Sequence, residues 1–297
     1  MINAHPTLPE FEYIKPETLR EASHFLALHN DQARPLLGGT DIFVRLRDGV
    51  WKDKFLVDVK SLEGMHMLSY DPSNGLMIGA AVNMNQVIAF PAVQELYPVL
   101  AQAAHSVASY QLRTRATIVG NLCNASPAAD TAPALISLGG QARIAGLNGE
   151  RVVPLEGFFS GPGRSVLRDD EILTGIQVPN PLPHTGGAYL KLSPREKDLA
   201  TVAVAALITL NSEGTICEDA RVVLGAVAPT VIRAFKAEEA LMGKTVAEAV
   251  IRESAQKASE ESQPITDIRG SAEYRKEMVA VQARRAIKRA LELAKSV

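Results

Sequence analysis

The chain has 297 residues, 46% of them hydrophobic and 22% charged, with a formal net charge of −2. That length suits two domains with full cores, and that charge excludes a global field that would gather nucleic acid or an anionic membrane. Two cysteines, Cys123 and Cys217, exclude a disulfide framework and cannot by themselves ligate an iron–sulfur cluster, which takes about four protein ligands.

No window approaches the ~20 apolar residues that cross a bilayer. Met1 to Pro9 has neither the basic flank nor the apolar stretch of a signal peptide, so the chain reads as soluble, cytoplasmic and reduced. Pro16-Glu17-Thr18 opens a helix with apolar positions Leu19, Ala22, Phe25, Leu26 and Leu28. A short strand over 34–37 meets Gly38-Gly39, after which Thr40 and Asp41 cap a helix carrying Ile42, Phe43 and Leu46. Residues 55–59 read as a strand. Strands over 67–70 and 76–80 flank Asp71-Pro72-Ser73-Asn74-Gly75, which has hairpin turn chemistry.

A long helix is expected from 93 to about 109, then the stretch Thr117-Ile118-Val119-Gly120-Asn121-Leu122-Cys123-Asn124-Ala125-Ser126-Pro127-Ala128-Ala129-Asp130. It opens with a β-branched pair, breaks at Gly120 and reaches a helix start at Ser126-Pro127. Strands follow near 141–145 and 151–154, and the Pro- and Gly-dense segment 178–187 is the favoured domain boundary. Beyond it, the nearly unbroken apolar run 201–210 turns at Asn211-Ser212-Glu213-Gly214 into 216–227, an antiparallel hairpin with at least one buried strand. The remainder is helical. In the last helix Val279, Ala283, Ile287, Ala290 and Ala294 mark one apolar face. Its basic residues Arg275, Lys276, Arg284, Arg285, Lys288, Arg289 and Lys295 are diluted by Glu273, Glu277 and Glu292 and read as a solvated face.

The chain lacks G-x-G-x-x-G, the P-loop, C-x-x-C, H-E-x-x-H and G-x-S-x-G, and its six histidines, His5 among them, are scattered. A Rossmann-type cofactor site, a metallo-hydrolase and a serine hydrolase are therefore disfavoured. Two loops remain that could cradle a phosphate. In Leu36-Leu37-Gly38-Gly39-Thr40-Asp41 the glycines permit close backbone approach and Thr40 can donate to an oxygen, while Asp41 suits capping; the same residues serve equally as a plain turn. The second loop, 117–130, is stronger because its small and hydrogen-bonding residues extend further. Asp130 falls four residues after Ser126, one too far for a capping box, and is free to accept a ligand hydroxyl. Tyr189, Lys191 and the charged loop after them, through Arg195-Glu196-Lys197-Asp198, could meet a ring system or simply face solvent.

Taken in order, Gly38-Gly39-Thr40-Asp41, the 117–130 stretch, Phe159-Ser160-Gly161-Pro162, Asp170-Glu171-Ile172-Leu173, 195–200 and Asp267-Ile268-Arg269-Gly270-Ser271-Ala272-Glu273-Tyr274-Arg275 resemble the FAD-binding medium subunit of the molybdenum hydroxylases. Xanthine dehydrogenase, carbon monoxide dehydrogenase, nicotinate dehydrogenase and aldehyde oxidoreductases belong to that family. The resemblance implies an α+β fold. An FAD-binding domain of the vanillyl-alcohol-oxidase type would span 1–178, with subdomains of about 1–55 and 56–178, before a C-terminal domain over 186–297 with an antiparallel sheet and helical bundle. It implies FAD contacts from Leu36, Leu37, Gly38, Gly39, Thr40, Asp41, Thr117, Ile118, Gly120 and Asn121 around the pyrophosphate. Ser126 and Asp130 would reach the nucleotide end, Leu173 would pack against the cofactor, and Tyr189 and Lys191 would approach the flavin ring. Val119 stands where the family usually has glycine; if that position needed a positive φ, the loop would have to rearrange.

By the same resemblance the partners are a large molybdopterin-binding subunit and a small [2Fe–2S] subunit, assembled as a dimer of heterotrimers. This chain would pass electrons through FAD to an external acceptor and would not touch the organic substrate. The alternative is a stand-alone flavin oxidase acting directly on a small substrate. Many such enzymes attach the flavin through His or Cys, and neither loop here carries a histidine. Cys123 reads as a small buried filler.

Overall fold

The computed structural model describes residues 7–296, so His5 and most of the Met1 to Pro9 stretch lie outside the described residues. The chain begins with β1 (Glu12–Ile14), β2 (Ala33–Leu36) and β3 (Phe55–Asp58), which form a parallel sheet with β3 in the middle. Parallel neighbours need crossovers, and α1 (Leu19–His29) and α2 (Ile42–Arg47) supply them. Thr18 starts α1 by accepting a hydrogen bond from Glu21 N at 3.1 Å, and Ala22 and Leu26 are buried beneath it. Leu28, expected on the same face, is 68% exposed. Two residues beyond Leu26 lies about 200° round the helix, on the solvent side.

The second layer contains β4 (Leu68–Asp71), β5 (Gly75–Gly79), β6 (Gln141–Gly146) and β7 (Gly149–Pro154), a small ribbon of β8 (Phe159–Gly161) and β9 (Arg164–Ser165), and β10 (Ile172–Val178). The antiparallel order is β4-β5-β10-β6-β7. The hairpin at 71–75 forms as its sequence predicts, with Asp71 Oδ1 accepting from Ser73 N at 2.9 Å and Asn74 N at 2.8 Å. The central strand β10 was not foreseen as a strand.

Between β5 and β6 come α3 (Met84–Ala89), α4 (Pro91–Leu96), α5 (Pro98–Ser106), α6 (Tyr110–Arg113), α7 (Ile118–Cys123) and α8 (Thr131–Ser137). The single long helix expected over 93–109 is thus two. Pro98 cannot continue the hydrogen-bond ladder, and Tyr97 before it leaves helical geometry (φ −128°, ψ 48°).

The C-terminal part contains β11 (Thr185–Leu192), β12 (Val202–Leu210), β13 (Cys217–Gly225) and β14 (Ile232–Arg233), antiparallel in that order. It continues with α9 (Phe235–Leu241), α10 (Glu248–Glu261) and α11 (Ala272–Ala294). β12 is apolar but for Thr209 because both its faces are covered. Val202, Val204, Ala206 and Ile208 join the core under α10 and α11, while Ala203 and Ala205 join the core of the preceding domain. Gly186-Gly187, read as linker, belongs to β11; a Cβ on Gly186 would overlap the α11 backbone at Ala290 O and Ala294 N. The apolar face of α11 is buried as expected, but Arg275, read as solvated, is 2% exposed.

Candidate functional site

Two backbone segments make the floor of a cleft. The first leaves β2 at Leu37 and turns through Gly38 and Gly39. A Cβ on Gly38 would overlap the Arg115 carbonyl oxygen and stand 3.2 Å from Ala116 Cα, so only glycine lets the two segments touch. Gly39 has φ +74°, and Asp41 follows at the N-cap position of α2 without a side-chain capping bond, contrary to the capping role expected of it. Burial pushes the Asp41 carboxyl up, with Arg45 holding it back.

The second segment is anchored by Met84 N donating to Ala116 O at 2.9 Å. Thr117 then caps α7, its Oγ1 accepting from Gly120 N at 2.9 Å. The β-branched opening is therefore a helix start, and Gly120 lies inside the helix rather than breaking the chain. Val119, 1% exposed, also sits in α7 with helical geometry, so the side chain in place of glycine requires no rearrangement. Asn121 spends its carboxamide oxygen on Thr131, accepting from Oγ1 at 2.7 Å and N at 3.3 Å, which leaves its amino group to donate.

No helix begins at Ser126-Pro127. Ser126 Oγ instead accepts from Ala128 N at 3.2 Å in a local turn, and α8 begins only after Asp130. Asp130 is buried between two groups of β11: Tyr189 donates its hydroxyl at 3.1 Å and Lys191 its ammonium at 2.9 Å. Lys191 also donates to Ser106 O at 3.1 Å. Burial pushes the Asp130 carboxyl up, against the pull of Lys191 and Tyr189, and burial beside that carboxylate raises the Tyr189 phenol far above its ordinary value.

The cleft encloses about 930 Å³, near the top of the roughly 300–1,000 Å³ range of small-molecule and cofactor sites. Leu37, Gly38, Gly39, Thr40, Asp41, Thr117, Gly120, Asn121, Ser126, Asp130 and Leu173 line it. Leu36, Ile118, Tyr189 and Lys191 do not: Leu36 packs with Leu46 and Leu56, Ile118 is fully buried, and the other two stand behind Asp130.

The sequence reading missed one end of the cleft. There the Arg34 guanidinium stacks 3.8 Å from the Trp51 ring centre and Arg45 lies 4.8 Å from it. Arg164 and Arg168 add positive charge near β9. Nothing local marks these residues, because they meet only through the fold. Asn124 Oδ1, in the cleft wall, is buried without a hydrogen-bond partner. A free acceptor there and the bare backbone at Gly38 suit a large ligand carrying hydroxyls and phosphate oxygens.

The fold is that of a two-domain α+β protein, with a cleft of cofactor size floored by two backbone loops. Residues 9–181 match the FAD binding domain in molybdopterin dehydrogenase, and residues 187–290 match the CO dehydrogenase flavoprotein C-terminal domain. The carbon monoxide dehydrogenase medium chain of Hydrogenophaga pseudoflava is 30% identical over 94% of this chain and 96% of its own length. A putative xanthine dehydrogenase FAD-binding subunit of Escherichia coli is 31% identical over 95% of this chain and 96% of its own. Among solved structures, carbon monoxide dehydrogenase from H. pseudoflava superposes with a TM-score of 0.93 at 31% identity, covering 96% of this chain and 99% of that one. The chain belongs to the FAD-binding medium subunits of the molybdenum hydroxylases and is a flavoprotein subunit of a multi-subunit oxidoreductase. Among the described residues no helix is long and apolar enough to cross a membrane.

Proposed function

We propose that this chain holds FAD with its pyrophosphate between loops 36–40 and 117–121, and relays electrons from the [2Fe–2S] clusters of a small partner subunit to an external acceptor. A large molybdopterin-binding subunit would complete each heterotrimer, and two heterotrimers the assembly. Bound FAD supplies the exchange between one-electron carriers and a two-electron acceptor. The observation that carries the reading is the contact of Gly38 with the Arg115 carbonyl, which joins the two loops into one backbone-walled floor.

Within that reading Thr40 and the Asn121 amino group donate to phosphate oxygens, and Asn124 Oδ1 accepts from a cofactor hydroxyl. Leu37 and Leu173 exclude water. Asp130 accepts from a hydroxyl of the nucleotide, while Tyr189 and Lys191 hold its carboxylate from behind. They thus act one residue removed from the cofactor. We place the domain boundary between residues 178 and 186.

The test is an absorption spectrum of affinity-purified protein, with mass analysis of the chains that accompany it. A flavin spectrum with iron–sulfur shoulders and two further chains is expected. Flavin on this chain alone, reduced directly by a small substrate, would establish the stand-alone oxidase instead. Absence of flavin would remove the cofactor assignment.

A further inference from the structure

The segment Asp267-Ile268-Arg269-Gly270-Ser271-Ala272-Glu273-Tyr274-Arg275 has no part in the cleft lining, yet one carboxylate in it gathers two guanidiniums. Asp267 Oδ2 accepts from Arg269 Nη2 at 2.7 Å and Nε at 3.1 Å, while Oδ1 accepts from Arg275 Nη2 and from Arg269 N at 2.8 Å. The hydrogen bonds from Arg269, and the one from Arg275, hold the Asp267 carboxyl well below the usual range.

Each guanidinium then grips a different backbone. Arg269 Nη1 donates to Ala200 O at 3.4 Å, directly after Leu199, which lines the cleft. Arg275 Nη1 donates to Ala226 O at 3.1 Å. Ala226 sits in the left-handed region at φ +64°, and its own N–H donates to Pro127 O at 2.7 Å. Pro127 lies between Ser126 and Ala128, both cleft residues. One acidic residue outside the cleft is thereby tied to two separate stretches of its lining.

Arg275 is 2% exposed and its Nε has no hydrogen-bond partner. A guanidinium kept buried with one donor unsatisfied is a poor choice for packing alone, where an apolar side chain would do as well. Its geometry suits fixing the strained Ala226 turn, and through it the loop that carries Ser126 and Asp130.

We infer that Asp267 and Arg275 are positioning residues for the cofactor: the C-terminal domain uses them to hold the 126–130 loop in its FAD-binding conformation. The inference rests on the cofactor reading above. The test compares full-length wild type, Arg275→Met, Arg275→Lys and Glu238→Gln. The last replaces a buried carboxylate of the same domain, paired with the half-buried Arg233 at 2.7 Å, away from the cleft.

FAD binding is followed by flavin fluorescence and backbone exchange by hydrogen–deuterium mass spectrometry. Arg275→Met should weaken FAD binding about tenfold or more and speed exchange at Ala128, Ala129 and Ala226. Arg275→Lys should recover part of both effects, and Glu238→Gln should leave both at wild-type values. Equal FAD binding by Arg275→Met and wild type, or an equal loss in Glu238→Gln, would overturn the inference. If wild type itself bound no FAD, the cofactor reading would fall, and exchange at these amides alone would decide the positioning claim. Should Arg275→Met not fold, Asp267→Asn, of nearly unchanged size, carries the same measurement.

Discussion

Replacing Lys191 with methionine tests how the two domains are joined behind the cleft. The Lys191 and Asp130 side chains are each 6% exposed and meet at 2.9 Å. Methionine fills the same space but leaves the Asp130 carboxylate buried with only the Tyr189 hydroxyl, and it strips Ser106 O of a donor. Breaking a buried pair from one side costs about 3–5 kcal/mol. The loss should appear in urea unfolding followed by circular dichroism. The double variant Lys191→Met/Asp130→Asn, which removes the stranded charge, should recover a large part of it.

The pH dependence has a definite sign. In Lys191→Met the buried carboxyl has a folded-state pKa above its unfolded value, so the folded state binds the extra proton. Stability then falls as pH rises from the unfolded value of 3.8 through the raised folded value, and the defect should shrink at acid pH. A penalty under about 1 kcal/mol, unchanged between acid and neutral pH, would refute the account of this pair.

Gly38→Ala forces a methyl group into the Arg115 carbonyl; it should cost about 1–3 kcal/mol and weaken FAD binding, both measurable by thermal unfolding with and without FAD. Asn124→Ala should behave differently, because its buried Oδ1 has no partner to lose: stability without FAD stays near wild type while FAD affinity drops. Glu171 accepts from Arg151 at 2.7 Å through each oxygen, and this bond holds its carboxyl below the ordinary 4.5. The stability it contributes, about 1–3 kcal/mol, is present above pH 4.5 and lost as pH falls through the folded value, so Glu171→Gln should flatten the acid limb of the stability curve. Cys217 is fully buried and burial pushes its thiol up to about 11, so it should not react with a thiol reagent at pH 8 until the chain unfolds. Cys123, expected as a buried filler, is only half-buried in the cleft lining, so its labelling in the folded protein should fall when FAD fills the cleft.

Features decided within a few residues were legible in the sequence. The turn at 71–75 follows from Asp71 bonding its own neighbours, and α1 from the Thr18 cap and the spacing of Ala22 and Leu26. The apolar run of β12 announced a strand covered on both faces, and Gly38-Gly39 announced a close approach without naming what approached. Eleven of the fifteen residues implied by the family resemblance line the cleft, because the two loops that carry most of them are local structures.

The tertiary structure alone decided what each of those pieces meets. β10 holds the centre of its sheet because β5 and β6, distant in sequence, pair on its two sides; Gly175 interrupts its own local strand signal. The β-branched opening at Thr117 is a helix cap, and the backbone before it is held by Met84 N donating to Ala116 O. Lys191 faces Asp130, and Arg275 is buried against Ala226, through contacts spanning 61 and 49 residues of chain. Turn chemistry and periodicity act over a few residues. The pairing of charges across domains is set by packing, which no local pattern encodes.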